Sequence, residues 1–372
     1  MTKLTDLCDI QYGYAFDSGA FTNDNSYPQL VRIRDVKRGY SETFYNGDYP
    51  DEYVLSAGDL LIGMDGEFNI ARWKIDGALL NQRVCKIVAK DNTDEEFLRF
   101  ALSKALKVIE DRTSFVTVKH LSARELNKLE IQVPSYDEQK KISDILHRLE
   151  RIIDARQNEL KSLDILIKAR FVELYNTSFL GEETTIEAIT ERVKVGFVGT
   201  CEKYYTSNSG IPMLRTGNIT NNGINLSDLK YVTNDFHEKN KKSQILEGDI
   251  LIARHGSNGQ ANVYYGPEAQ CLNAVVIVPN NEIATSVFLA GLINSPMVKE
   301  QIVRTLVGST QHVVNTKSIA GLVVRIPNLE VQKEYEDFVN QIDKSKVVVS
   351  SKIKNAIFAI MLSVSFGQIT SI

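Results

Sequence analysis

The feature that most constrains this chain is an internal duplication, in which the second half repeats the order of motifs found in the first. Gly58–Ile62 reads Gly-Asp-Leu-Leu-Ile and returns as Gly-Asp-Ile-Leu-Ile at Gly248–Ile252, a shift of 190 (248 − 58). Leu129–Pro134 is answered by Leu322–Pro327, a shift of 193 (327 − 134). A single long repeat predicts two similar domains, because a solenoid needs three or more short units.

Each half combines short apolar runs with helical stretches. The runs are rich in β-branched residues and bounded by Gly and Asn, as buried strands are, and they are Leu60–Ile62, Val84–Val88, Leu251–Ile252 and Ala274–Val278. Glu95–Glu110 and Ser286–Ile293 are predicted to be helices. Each half is therefore predicted to be an α+β domain.

Each predicted domain is followed by a stretch typical of a long helix. Residues 135–180 and 328–366 contain neither Gly nor Pro, although the chain has 22 Gly and 8 Pro. Ser135 and Glu138 have the spacing of a capping box, while Asn328 and Glu330 supply a cap and a first-turn carboxylate. These signals predict that each helix begins just after a proline.

Steps of four and three along both stretches select mostly apolar residues. The predicted coiled-coil positions are Ile142, Leu146, Leu149, Ile153, Leu160, Leu163, Ile167, Tyr335, Val339, Ile342, Val349, Ile353 and Ile360. A pattern sustained for about four heptads favours a coiled-coil spacer. The alternative is two amphipathic helices, each packed on its own domain.

The predicted fold class is α+β, with two duplicated α/β domains, each followed by a long helix. The predicted bounds are 1–134 for the first domain, 135–180 for the central helix, 181–327 for the second domain, and 328–372 for the distal helix and tail.

Charge and motif content narrow the function. The formal net charge is −4 (43 − 47), and no region forms a basic tail, so a nucleic-acid surface would have to be a local patch. The four cysteines and five histidines lack metal-ligand spacing, and no phosphate-binding glycine loop is present. These features predict a cytoplasmic protein with no metal site and no cofactor of its own. The apolar run Ile357–Phe366 is too short to span a membrane.

Polar loops recur at matching places in both halves. Arg32–Arg38 follows the first proline turn, and Arg215–Asn218 lies at the equivalent place in the second half. After the Gly-Asp strands, the halves continue with different polar residues at Met64–Asn69 and Arg254–Gln260. Arg and Asn side chains suit the edges of guanine and adenine, so two readers of different sequences are predicted. The alternative is that these loops are ordinary solvated turns.

These motifs together resemble the specificity subunits of type I restriction-modification systems, over nearly the whole chain. The resemblance is carried by Gly13–Phe16, the two Gly-Asp strands, Gly210–Ile219, Thr117–Ser122, and the Gln-Lys pairs that follow a proline at the start of both helices. It implies two target recognition domains and two helices packed antiparallel as a spacer.

The resemblance also implies partners and a division of labour. The subunit would bind double-stranded DNA and have no catalytic centre. It would dock two methyltransferase subunits, which bind S-adenosylmethionine and methylate adenine, and two restriction subunits, which use ATP and Mg. No membrane partner is implied. The candidate DNA-binding residues are Arg32, Arg34, Lys37, Arg38, Lys119, Arg215, Asn218, Arg254, His255, Asn258, Gln260, Gln311 and Lys317.

Two features of the first domain depart from the family pattern. Residues 1–133 carry 17 basic and 21 acidic residues, so a DNA surface in the first domain must be sharply segregated. The first domain also lacks the Gly308–Gln311 run of the second.

Two other functions remain alternatives. The chain would then be either a coiled-coil adaptor that binds only proteins or an enzyme with an unrecognised site.

Overall fold

The computed structural model describes residues 1–112, 119–207, 209–221, 223–255, 259–307 and 313–366. The chain forms two compact units, Met1–Gln157 with Ser351–Ile372, and Asn158–Ser350. The first unit contains the first domain, and the second unit contains the second domain. Each of the two long helices contributes residues to both units.

Both domains are built on a four-stranded antiparallel sheet with the same strand order. In the first domain the order is Cys8–Tyr12, Val84–Ala89, Leu60–Gly63 and Ile70–Arg72. In the second domain it is Thr190–Val195, Ala274–Pro279, Ile250–Ala253 and Ala261–Val263. The predicted strands and the predicted duplication are confirmed.

The Gly-Asp strands, Leu60–Gly63 and Ile250–Ala253, are buried along their whole length. Successive side chains of a strand point to opposite faces. In the first domain Leu60 and Ile62 pack in one core cluster and Leu61 in another. Ile250 and Leu251 divide between two clusters of the second domain in the same way. Burial on both faces explains why these strands have a continuous apolar sequence.

A second sheet in each domain contains one parallel pair. In the first domain Leu30–Val31 runs parallel to Ala78–Leu80, which also pairs with Val54–Leu55. In the second domain Ile211–Leu214 runs parallel to Ala269–Cys271. Three further strands extend this sheet: Tyr205–Thr206, Lys230–Val232 and Gln244–Ile245. The smaller strand pairs are Thr2–Lys3 with Glu130–Ile131, Thr184–Thr185 with Val323–Val324, Phe21–Thr22 with Phe44–Tyr45, and Ile219–Thr220 with Gly223–Ile224.

Helices cover the main sheets. Glu95–Arg112 buries Leu98, Leu102 and Leu106, spaced by four, in the core of the first domain. Ser286–Asn294 is buried in the second domain, and Pro296–Val307 follows it directly. The two helices predicted from the sequence are thus confirmed. The short helices are Leu4–Leu7, Ile33–Val36, Ala123–Asn127, Asn234–Lys239 and Thr316–Ala320.

The two long helices begin where their sequence signals predict. The central helix is Tyr136–Thr177 and the distal helix is Leu329–Phe366. Ser135 donates its backbone N–H (3.1 Å) and its hydroxyl (2.6 Å) to the Glu138 carboxylate, and these bonds lower the pKa of Glu138. Asn328 caps the distal helix by accepting a hydrogen bond from the Val331 backbone N–H, at 3.1 Å.

A buried glutamine fastens the start of the central helix to the first domain. Gln139 is 1% exposed. Its Oε1 accepts a hydrogen bond from the Asp94 N–H at 2.9 Å, and its Nε2 donates to the carbonyl groups of Asn92 (3.2 Å) and Pro134 (3.1 Å). Every polar group of the side chain is therefore used.

The distal helix is fastened to the second domain in the same way. Gln332 is fully buried, and its Oε1 accepts from the Thr285 N–H at 3.0 Å. Its Nε2 donates to the carbonyl groups of Ile283 (3.0 Å) and Pro327 (2.9 Å). We call each set of three backbone groups a glutamine socket. The two sockets are copies of one another, since Gln332 lies 193 residues (332 − 139) after Gln139.

The helices run antiparallel within the second unit. Lys346 contacts Asp164 at 2.8 Å, whereas Glu334 pairs with Arg170, so the sequence numbers rise along one helix and fall along the other. The Phe171 ring packs on Tyr335 with their centroids 5.3 Å apart. This arrangement confirms the predicted antiparallel pairing.

The predicted heptad positions lie on the less exposed side of both long helices. All predicted coiled-coil positions except Ile360 have described side chains, and every one of these is buried or half-buried. Residues between them, such as Ile165 and Val347, are exposed. The side chain of Ile360 lies outside the described part of the chain.

Candidate nucleic-acid interface

The loop after the strand Leu30–Val31 is held by a buried carboxylate. Asp35 is 1% exposed and its Oδ2 accepts from the Arg32 N–H at 3.0 Å and from the Ser41 hydroxyl at 2.9 Å. The Asp35 N–H donates back to the Arg32 carbonyl at 2.8 Å. This turn leaves the side chains of Arg32 and Arg34 exposed on the surface.

The second domain makes the same turn with an amide. Asn218 is 3% exposed, and its Oδ1 accepts from the Arg215 N–H at 2.9 Å. Its Nδ2 donates to the carbonyl groups of Asn225 (3.1 Å) and Asp228 (2.9 Å). Asn218 was predicted to contact DNA, but its side chain holds the loop from inside. Arg215 is half-buried, and its Nη2 contacts the Asp228 carboxylate at 3.0 Å.

The Gly-Asp motifs form matching corners before the buried strands. Gly58 and Gly248 have φ values of +99° and +92°, a conformation that glycine adopts with little strain. The next residue of each corner closes it: Asp59 accepts from the Ser56 N–H at 2.9 Å, and Asp249 from the Leu246 N–H at 3.0 Å. Burial raises the pKa of Asp249. These repeated residues therefore build the frame of each domain.

The parallel strand pair of each domain brings two polar segments to one edge. In the first domain the strands before Arg32 and Arg83 are parallel, so both arginines lie beyond the same edge. In the second domain the same holds for Arg215 and Asn273, which follow Ile211–Leu214 and Ala269–Cys271. We call these two places the recognition edges.

Several charged side chains converge on the recognition edge of the first domain. Asp65 accepts a hydrogen bond from the His120 ring and lies 3.7 Å from the Arg83 guanidinium. Arg83 Nη1 also lies 3.2 Å from His120 Nδ1. Lys37 contacts the Glu67 carboxylate at 3.9 Å, which links the loop after Arg32 to the loop after the Gly-Asp strand.

The other predicted residues of the first domain lie near this edge. Arg38 is exposed and pairs with Glu42 at 3.9 Å, and Arg34 lies 3.8 Å from the Asp35 carboxylate. Lys119 donates to the carbonyl of Glu110 at 2.6 Å, while its own carbonyl accepts from the Gly66 N–H at 2.8 Å.

In the second domain, Arg254 occupies the recognition edge. Its Nη1 donates to Asn273 Oδ1 at 3.3 Å and its Nε to the Val314 carbonyl at 3.4 Å. His255 and Lys317 are exposed and Gln260 is half-buried. Asn258 and Gln311 lie outside the described residues.

Sequence reasoning missed Arg83, Asp65 and His120 as a group. They come from three separate segments, and the pattern of the chain gives no sign that these segments meet. Arg83 has φ +73°, which a sequence does not reveal in an arginine.

The described part of the chain shows no metal-ligand cluster and no reactive thiol at Cys8, Cys85 or Cys271. It contains no group of three or more His, Cys, Asp or Glu residues that could hold a metal ion. Burial raises the pKa of Cys8, Cys85 and Cys271 to about 12, so these thiols are poor nucleophiles. None of the described helices is long and apolar enough to cross a membrane.

Two solved structures are similar to this chain along its length. The S subunit of a type I restriction-modification system from M. genitalium aligns with a TM-score of 0.54 and 13% identity, covering 97% of this chain and 94% of the other. A chain from a study of complex assembly and conformational transition of the type I R-M system aligns with a TM-score of 0.55 and 14% identity, covering 99% and 96%. At such identities the likeness shows the fold.

Two relatives are similar in sequence. The type I restriction enzyme EcoBI specificity subunit of Escherichia coli is 28% identical, over 95% of this chain and 81% of its own length. The MjaVIII specificity subunit of Methanocaldococcus jannaschii is 20% identical, over 78% and 74%. Residues 1–163 and 192–359 match the family described as the type I restriction modification DNA specificity domain. The chain therefore belongs to the family of type I restriction-modification specificity subunits, whose members recognise DNA targets.

Proposed function

We propose that this chain reads a bipartite DNA target, one half-site with each domain. The observation that carries the proposal is that two copies of one backbone frame bear different polar side chains at the same edge: Arg83, Asp65 and His120 in one, and Arg254 with Asn273 in the other. Two such readers joined by a spacer would recognise two different short sequences separated by an unread gap.

The paired long helices support the role of the spacer. Modification of one adenine on each strand requires two methyltransferases in opposite orientations, and a duplicated chain supplies two equivalent docking sites. We therefore propose that the chain docks two methyltransferase subunits and two restriction subunits in the cytoplasm. The partners would bind S-adenosylmethionine, ATP and Mg and perform all the chemistry, and the target base would be flipped into the methyltransferase pocket.

The charge distribution supports a shared DNA interface. Several cations at the recognition edges already face carboxylates, as Lys37 faces Glu67 and Arg215 faces Asp228. Binding to DNA depends strongly on phosphate contacts made by free cations. We propose that the partner subunits supply most of these contacts, while this chain supplies sequence preference.

The first test is to co-express the chain with the methyltransferase subunit of its system and to map methylated adenines across the host genome by single-molecule sequencing. A bipartite motif with a fixed gap is the expected result. If an assembled complex gave no motif, the protein-only adaptor would be favoured. Turnover of a substrate by the purified chain alone would instead indicate an enzyme.

A further inference from the structure

The arginine at position 83 is in a backbone conformation that costs it energy. Residues other than Gly, Asn and Asp seldom adopt φ near +60°, and those that do often serve a function for which the strain is tolerated. Arg83 has φ +73°. The residue at the same place in the second domain, directly before the strand Ala274–Pro279, is Asn273 with φ +57°. Asparagine suits this conformation, so the frame itself does not require arginine.

Each domain places one arginine where the end of its Gly-Asp strand meets the start of the neighbouring β-strand. In the first domain the arginine directly precedes the neighbouring strand, and in the second domain it directly follows the Gly-Asp strand. In the first domain, Met64 follows the Gly-Asp strand and donates its N–H to the Arg83 carbonyl at 2.8 Å. In the second domain, Arg254 takes the place of Met64 and Asn273 the place of Arg83. The third segment also matches, because Leu121 donates its N–H to the Met64 carbonyl (2.7 Å) and Val314 to the Arg254 carbonyl (3.0 Å).

The side chain of Arg83 is both oriented and accessible. Asp65 pairs with the guanidinium (3.7 Å) and the His120 ring lies beside it, with Nε2 3.4 Å from Nη1, while 52% of the Arg83 side chain stays exposed. A guanidinium held in this way can present its remaining N–H groups as a fork. The edge of guanine, with its O6 and N7 acceptors, is the partner in DNA that fits such a fork best.

We propose that Arg83 is a specificity-determining residue that reads a guanine in the half-site of the first domain, with Asp65 and His120 as its positioning residues. Arg254 has the corresponding role in the second domain from the opposite strand. This inference rests on the proposed function of the chain. The inference explains why the same backbone frame would read two different half-sites. The arginine precedes the β-strand Val84–Ala89 in the first domain but follows the β-strand Ile250–Ala253 in the second, so it reaches a different base.

The test is an Arg83→Asn variant of the full chain, co-expressed with its methyltransferase and analysed by genome-wide methylation mapping. Asparagine is the residue that the second domain uses here, so the frame is expected to fold. We expect discrimination at one base pair of the first half-site to fall by about tenfold or more, with the second half-site unchanged. Lys128→Asn, which removes one charge elsewhere from the same domain, is the control and should leave the motif intact.

A second variant separates reading from simple stability. Asp65→Ala keeps the arginine but removes its anchor, and it should relax the same base pair as Arg83→Asn, although less. A purely structural role would instead lower methylation evenly at all sites without changing the motif. An unchanged first half-site in Arg83→Asn, or equal loss at both half-sites, would overturn the inference while leaving the proposed function standing. If the wild type gave no motif, the proposed function itself would fail.

Discussion

At the scale of single residues, the duplicated corners allow a matched comparison of two carboxylates. Asp249 is 5% exposed, and burial raises its pKa. A raised pKa in the folded state means that this carboxylate stabilises the fold most when it is protonated, below its ordinary pKa. This contribution is lost as the pH rises through the folded pKa. At pH 7 the buried charge is therefore a cost.

We expect Asp249→Asn to raise the free energy of unfolding at pH 7 by about 0.5–1 kcal/mol, because the amide oxygen can still accept the Leu246 N–H without a buried charge. The gain should shrink as the pH is lowered toward 4. Thermal unfolding of both proteins across this range measures it. Asp59→Asn is the matched variant, and it should lose stability, since it breaks the 2.9 Å ion pair with Lys86. A gain that did not change with pH would contradict the argument.

The sequence revealed which residues recur, but not the task of each. Asn218 was assigned to DNA because asparagine suits an adenine edge. Its position three residues after Arg215, however, is the position from which Asp35 closes the same turn after Arg32. Conversely, Arg83 carried no local signal. Contacts between segments that are distant in the sequence determine the roles of both Asn218 and Arg83. Such contacts cannot be inferred from a single sequence.

At the scale of elements, the glutamine sockets join each helix to its domain. Replacing Gln332 by Leu would leave one N–H and one carbonyl group buried without their side-chain partner, and a second carbonyl group, that of Ile283, part-buried without it. An unsatisfied buried polar group costs about 1–3 kcal/mol. We expect Gln332→Leu to lower the free energy of unfolding by about 3 kcal/mol in chemical denaturation, and Gln139→Leu, whose contacts are only part-buried, to lower it by about 2 kcal/mol. Gln157→Leu, on the exposed side of the central helix, should change it by less than about 0.5 kcal/mol. Equal effects of all three substitutions would show that the sockets contribute nothing.

Helices were the elements best predicted from the sequence. Their starts are local events, fixed by Ser135 with Glu138 and by Asn328, and their heptad pattern is long enough to average out exceptions. The sockets were not predicted, because a glutamine beside a lysine reads as a solvated pair. The strands Tyr205–Thr206 and Gln244–Ile245 of the second domain were not predicted either, because each is only two residues long.

At the scale of the whole molecule, the helices are expected to set the gap between the half-sites. Seven residues inserted after Lys161, with seven more opposite them after Lys346, add one heptad to both helices and keep their register. The added length of about 10 Å should lengthen the gap by about three base pairs. Methylation mapping of the variant, co-expressed with the methyltransferase, reads the gap directly.

The matched variant has an insertion of only four residues, placed after Lys161 and in the central helix alone. It breaks the heptad register and should preserve neither the original gap nor efficient methylation. If either insertion left the recognised sequence and its spacing unchanged, the helices would not act as a ruler.

The identity of the two glutamine sockets has an evolutionary consequence. A genetic crossover at Pro134 or Pro327 would join a domain to the long helix of the other half of the gene. The glutamine of that helix would then meet the three equivalent backbone groups in its new domain. New combinations of domains could thus arise by recombination without any repair of the packing beneath the helices.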